Sequence, residues 1–279
     1  MSENSEKQLI VVKVGSNVLT RADQKPNVTN MSALVDQMAR LYAYGHRIVL
    51  VSSGAVACGR GVIQPARQLD SVAERQLYSS IGQIRLINLY NQLFGSYGIP
   101  IGQVLTQKDN FASRTACLNQ KSCILTMLDN GVIPVLNEND TASLTELMFT
   151  DNDELSGLMA TMLGADKLVI LSNVDGIYTG APDAPGSELI RRVTPGEDLR
   201  DFVQQTKSGY GRGGMGTKCH IARMVAAEGV EVVIARGNRP DVLVDVVEHP
   251  DRVPHTLFEA APRCEGAAAV TSFLDYPLE

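Results

Sequence analysis

"MLGADKLVIL" occupies residues 162–171. A helix-compatible stretch runs into Gly164, and soon after it the chain becomes a continuous apolar run. Glycine suits the left-handed conformation just past a helix end. An apolar run without polar alternation suits a strand buried on both faces. The same unit recurs as "AYGHRIVLV" (43–51), "SYGIPIGQV" (96–104), "DNGVIPVLN" (129–137) and "AEGVEVVIA" (227–235), with Gly45, Gly98, Gly131 and Gly229 in the place of Gly164. A first strand, "LIVVKVG" (9–15), opens the series. Helices alternating with apolar strands predict an α/β fold with a mostly parallel central sheet covered by helices.

The helices between are legible. "MSALVDQMARLYAYG" (31–45) places Met31, Leu34, Val35, Met38 and Leu41 at helical spacing, with Thr29 or Asn30 to cap it. Residues 70–97 read as one long helix, with Gly82 marking a bend. "APDAPGSE" (181–188) reads as an exposed loop.

A chain of 279 residues with 44% hydrophobic content holds a substantial core and fits one large α/β domain or two smaller ones. A net charge of −6 argues against a general nucleic-acid binder and for a soluble cytoplasmic protein. No apolar run reaches membrane-spanning length, and the polar, acidic "MSENSEKQ" does not resemble a signal peptide. Five scattered cysteines without a CxxC pair read as reduced thiols. No histidine stands near them at zinc-ligand spacing, so a structural zinc is not expected.

Ligands of open α/β sheets collect beyond the carboxyl ends of the strands. Lys13 interrupts "LIVVKVG" there. A buried ammonium needs an anionic partner, so Lys13 either faces phosphate oxygens in a site or lies on an edge strand and reaches outward. "SSGAVACG" (52–59) offers Ser53 and Gly54 at a strand-to-helix turn, either for close ligand approach or as an ordinary tight turn. "NENDTAS" (137–143) supplies Glu138 and Asp140 between amides, suited to an ammonium group or a metal. "FTDNDELS" (149–156) adds Asp151, Asn152, Asp153 and Glu154, some of which serve as ordinary helix caps. "GRGGMGTK" (211–218) precedes a helical stretch, either cradling phosphate or forming a flexible loop. It is not a Walker A loop, since its threonine precedes the lysine, and the first βα turn lacks a dinucleotide fingerprint.

Taken together, "VVKVGSNVLT", "VLVSSGAVACGRG", "PVLNENDTAS", "FTDNDELSGLMATMLGADKLVILSNVDGIYT" and "GRGGMGTKCHIARMVAAEGV" resemble the amino acid kinase superfamily, most closely its glutamate 5-kinase branch. The resemblance spans about Leu9 to Phe258. It implies a three-layer αβα sandwich and an amino acid kinase domain over residues 1–262, with 263–279 as a tail or linker stub. It also implies ATP and Mg2+ as cofactors, L-glutamate as acceptor, proline as feedback inhibitor, a homodimer or homotetramer, and neither nucleic-acid nor membrane partners. By the same resemblance Lys13 and Lys218 are catalytic, and Asp153 orients them. Ser53, Asp140 and Asn152 bind the substrate. Gly15, Gly54, Ser172, Asn173, Arg212, Gly213, Gly214, Met215, Gly216, Thr217 and Lys218 bind the nucleotide, with Gly15, Gly54 and Gly214 giving N–H groups to phosphate.

Two departures stand out. Ser172-Asn173 replaces the Thr-Asp of many relatives, removing one negative charge. Many bacterial members also carry a C-terminal PUA domain, which is not expected in this chain. The rival readings are another enzyme of the superfamily (an acetylglutamate, uridylate or carbamate kinase), a non-catalytic amino-acid sensor, or a metal-dependent hydrolase.

Overall fold

The computed structural model describes residues 6–142, 151–197 and 214–262. Strand β1 (Leu9–Val14) lies inside the sheet, with β2 (Arg47–Ser52) on one side and β5 (Lys167–Ser172) on the other, both parallel to it. Beyond β2 come β4 (Ile133–Glu138) and then β3 (Ile101–Thr106) at the edge. Beyond β5 come β7 (Glu231–Arg236), β8 (His255–Phe258) and the short β6 (Arg192–Val193). Of these strands only β7 and β8 pair antiparallel.

The five glycines of the recurring unit all take positive φ, from 65° at Gly164 to 96° at Gly45. Each hands the chain from a helix to the strand that follows. The strands inside the sheet are buried as expected. β3 is not, because it is an edge strand with a partly exposed face.

Period-2 alternation sorts each strand between two cores. Ile10, Val12 and Val14 face a layer formed by α1 (Ser16–Leu19), α2 (Val28–Ala43), α3 (Ala55–Arg60), α4 (Ser71–Gly95) and, later in the chain, a helix over 242–248. Val11, Val49 and Val51 face α5 (Asp109–Ala112), α6 (Arg114–Asp129), α7 (Asn152–Leu163) and α8 (Met215–Ala227). The last helix of the first layer is α9 (Val242–Glu248). Helices on both faces make the three-layer αβα sandwich. Lys13 shares the parity of Val11, so its side chain leaves β1 toward α7 and α8.

The stripe of α2 is buried, Met31 to Leu41 without exception, and each such side chain contributes about 1.5–3 kcal/mol. Its cap, however, is Asn27, whose side chain accepts from the Asn30 N–H at 3.2 Å. Asn30 instead uses its amide to reach the carbonyls of Val18 and Gly237. The "APDAPGSE" segment forms turns and is mostly exposed, as its prolines suggested.

Asp70 caps α4, and the helix runs unbroken through Gly82. That glycine marks a crossing, not a bend. A Cβ there would lie 1.7 Å from the Ala55 carbonyl oxygen, and one on Gly59 would lie 1.9 Å from that of Tyr78. The two glycines press α3 against α4 backbone to backbone. This fixes the start of α3, which forms part of the site described below. Alanine in a helix interior ordinarily stabilises by about 1 kcal/mol over glycine. Gly82→Ala is expected to lower the melting temperature, against that trend. Gly95→Ala, in the same helix with nothing within 4 Å of the new Cβ, is expected to leave it unchanged or raise it. Thermal denaturation of both variants checks the pair.

Candidate active site

Parallel strands deliver their carboxyl ends to one rim. There β1 carries Lys13, β2 runs into Ser53 and Gly54, β4 runs into Glu138 and Asp140, and β5 into Ser172 and Asn173. These residues line one cavity of about 1130 Å³, together with the first turns of α7 and α8.

Asp153 is the cavity's anchor. It is wholly buried in the first turn of α7. Lys13 Nζ lies 2.5 Å from its Oδ1, and Lys218 Nζ donates to its Oδ2 at 2.8 Å. Both lysines are themselves buried, at 4% and 8% exposure. Such charges are stable inside a protein only when paired. Burial pushes the Asp153 carboxyl up, but the two ammonium groups overcome it and hold the pKa below the usual carboxylate range. The trio therefore carries one net positive charge. The expected edge-strand alternative for Lys13 does not hold, since β1 is flanked on both sides.

Asp151 precedes this cluster and caps α7. Its Oδ1 accepts from the N–H groups of Asp153 and Glu154, at 2.8 and 3.2 Å. Its Oδ2 is buried with no partner among the described residues. Burial, and then the charge of Asp153, push its pKa up to about 7 against the pull of Lys13 and Lys218.

On the β4 side a polar network sets the wall. The Asn152 amide donates to the Ser52 carbonyl, Ser53 Oγ and Asn137 Oδ1, and Asn137 in turn donates to Gln83. Asp140 and Glu138 share the guanidinium of Arg75, whose Nε donates to Asp140 Oδ1 and Nη2 to Glu138 Oε2, each at 2.7 Å. On the β5 side Ser172 donates to Asn173. Tyr178 also faces the cavity and donates to Asp175, which Arg239 clamps.

The structure thus brings together Lys13, Gly15, Ser53, Gly54, Asp140, Asn152, Asp153, Ser172, Asn173, Gly214, Met215 and Lys218. Gly216 is exposed, and neither it nor Thr217 is on the cavity wall. Arg212 and Gly213 lie outside the described residues. The helix begins inside the glycine motif, so Lys218 sits in the first turn of α8 and not ahead of it. Gly15 cannot offer its N–H to a phosphate, because that group donates to the Leu171 carbonyl at 3.2 Å. Ser16 and Asn17 line the cavity beside it, and their backbone N–H groups have no acceptor among the described residues. Gly54 has φ 102°, which lets the chain turn sharply from β2 into α3. Sequence reading missed Arg75. Nothing local marks it, because its partners are 63 and 65 residues away.

Residues 8–236 match the amino acid kinase family. The chain is 56% identical over 265 residues to the glutamate 5-kinase of Bacteroides thetaiotaomicron, covering 95% of this chain and 73% of that protein. It is 43% identical over 235 residues to the glutamate 5-kinase of Chlorobaculum tepidum, covering 84% of this chain and 64% of that protein. The chain therefore spans between about two thirds and three quarters of the length of these relatives. Among solved structures, carbamate kinase from Giardia lamblia bound to AMP-PNP superposes with a TM-score of 0.64 at 17% identity, over 91% of this chain and 99% of that one.

The Asp151 carboxyl yields a pH prediction. Its pKa is about 7 in the folded protein against 3.8 when free. Between those values the folded state holds the extra proton, so stability falls as pH rises and the penalty is complete above pH 7. Asn keeps the capping oxygen and cannot ionise. Asp151→Asn is therefore expected to raise the melting temperature of the unliganded protein, more at pH 8 than at pH 5. A gain that is equal at the two pH values, or absent, contradicts it.

Proposed function

The chain belongs to the amino acid kinase family, and from that premise we propose that it transfers the γ-phosphoryl group of ATP to the side-chain carboxylate of L-glutamate. The product is L-glutamyl 5-phosphate, the first intermediate of proline biosynthesis. The observation that carries this reading is the pair of buried lysines held on one aspartate in a cavity large enough for both substrates.

Phosphoryl transfer between two oxygens rests on positioning and electrostatics, without a covalent protein intermediate. Lys13, on the central strand, and Lys218, on α8, meet the charge that builds on the moving group. Asp153 keeps the two cations from repelling each other apart and holds both before substrate arrives. The N–H groups of Ser16, Asn17 and Gly54 face the phosphates. Ser172 and Asn173 hold the nucleoside side of ATP. Ser53, Asn152 and Asp140 face the acceptor, with the Asp140 carboxylate on its ammonium group.

A magnesium ion carried on the ATP phosphates fits this cavity. Such an ion keeps several waters and takes only one or two carboxylates, and Asp151 Oδ2 is a buried acceptor without a partner among the described residues. Asp151 would hold it, and the ion would neutralise the β- and γ-phosphate oxygens. No helix among the described residues is long and apolar enough to cross a membrane. Feedback inhibition by proline and a homodimeric or homotetrameric assembly belong to the same reading.

A coupled ADP-release assay with L-glutamate, N-acetylglutamate and UMP tests the acceptor. Turnover with free glutamate, and hydroxylamine trapping of the acyl phosphate, are expected. Turnover with N-acetylglutamate alone would overturn the assignment. Lys218→Ala is expected to lower kcat by about 100-fold or more, the scale of one preorganised charge-stabilising group; a loss below about tenfold contradicts its role. Asp140→Ala is expected to raise the KM for glutamate about tenfold or more while leaving the KM for ATP within about twofold.

A further inference from the structure

We propose that Arg75 is the specificity residue that grips the α-carboxylate of the acceptor, so that the Arg75–Glu138–Asp140 cluster recognises a free α-amino acid as a zwitterion. The inference rests on the proposed glutamate kinase reading and names a subsite within it.

Two carboxylates, both nearly buried, share one guanidinium. The ammonium of an amino-acid ligand would meet these carboxylates, and the α-carboxylate it carries then needs a donor of its own. The donors nearby are largely committed. The Asn152 amide points inward to Ser52, Ser53 and Asn137. Lys13 and Lys218 are fixed on Asp153 at the phosphoryl end. Arg21 and Arg60, also on the cavity wall, are turned to Asp23 and to Gln24 and Glu74. Arg75 differs. Its Nε and Nη2 bind the two carboxylates, its Nη1 has no partner among the described residues, and its side chain is 26% exposed on the cavity wall. A guanidinium uses several N–H donors in one plane, so it can hold protein and ligand carboxylates at once.

The spacing fits. Asp140 follows β4 and Lys13 lies on β1, with β2 between them. Two strand spacings come to roughly 9.6 Å. An extended glutamate spans roughly 5 Å from its α-substituents to its γ-oxygens, and a hydrogen bond at each end adds roughly 2.8 Å. A glutamate anchored at Arg75 and Asp140 therefore brings its side-chain carboxylate to Lys13. Burial raises the Asp140 pKa and the adjacent Arg75 opposes it, so the same guanidinium favours the ionised carboxylate that receives the ammonium.

The test compares L-glutamate with 4-aminobutanoate, which keeps the amine and the reacting carboxylate and lacks only the α-carboxylate. Rates of ADP release are measured for the wild type, Arg75→Met and Arg75→Lys. Where turnover of 4-aminobutanoate is below detection, its Ki against glutamate replaces it. Arg75→Met is expected to lower the ratio of glutamate to 4-aminobutanoate specificity by about 30-fold, the scale of a lost charge-assisted hydrogen-bond pair, and Arg75→Lys to restore part of it. If both ligands weaken by the same factor, Arg75 only holds Glu138 and Asp140 in place and the proposal is overturned. An unchanged ratio with full glutamate activity overturns it as well. A wild type inactive on glutamate defeats the kinase reading instead, and is seen before any variant is compared.

Discussion

One carboxylate, that of Asp153, holds two ammonium groups drawn from opposite ends of the chain. Everything at the sheet's rim depends on that contact. Lys13 comes from the first strand and Lys218, 205 residues later, from the first turn of a helix. Burying three charges is expensive, and breaking such a cluster by removing one partner costs about 3–5 kcal/mol. On the proposed reading, these cations meet the tail of a triphosphate, which is what the cost of burying them serves. The fold is the means of bringing the three together. β1 must lie beside β5, its parity must send Lys13 toward α7, and α8 must pack on α7 so that its first turn reaches the same oxygen pair.

The cavity is divided by charge. Its centre holds two lysines on Asp153, with Asp151 beside them. Its β4 side presents the carboxylates of Glu138 and Asp140, both paired with Arg75. On the proposed reading, the acceptor's ammonium goes to the β4 side, the phosphate donor goes to the lysines, and the reacting carboxylate lies between them. Asp151 adds a buried oxygen without a partner among the described residues. A group left in that condition destabilises the unliganded state, which is the expected character of a functional site set in a stable frame.

Much of this was legible in the sequence, for local reasons. A glycine at each helix end and an apolar run behind it are properties of a short segment, so the alternation of helix and strand could be read directly. Lys13 stood out because a charge in an apolar strand needs a partner wherever it folds. The misreadings share the opposite cause. Gly82 permits a helix crossing whose other half is Gly59 and Ala55 on α3, and no local signal separates that from a bend. The Gly15 N–H is taken by Leu171 on the neighbouring strand, a partner that no local reading of "KVGSN" reveals. Arg75 looks like any charged residue on a half-exposed helix until β4 brings two carboxylates to it. β3 carries the same apolar pattern as its neighbours and is half-exposed only because the sheet ends there.

The most direct measurement is a crystal structure of the protein with L-glutamate and a nonhydrolysable ATP analogue. Both Nζ atoms, of Lys13 and Lys218, should lie within about 3.2 Å of oxygens on the terminal phosphate, still joined through Asp153, with the glutamate side-chain carboxylate facing that phosphate. A terminal phosphate bound elsewhere in the cavity, with either lysine out of reach of it, would contradict the role assigned to the cluster.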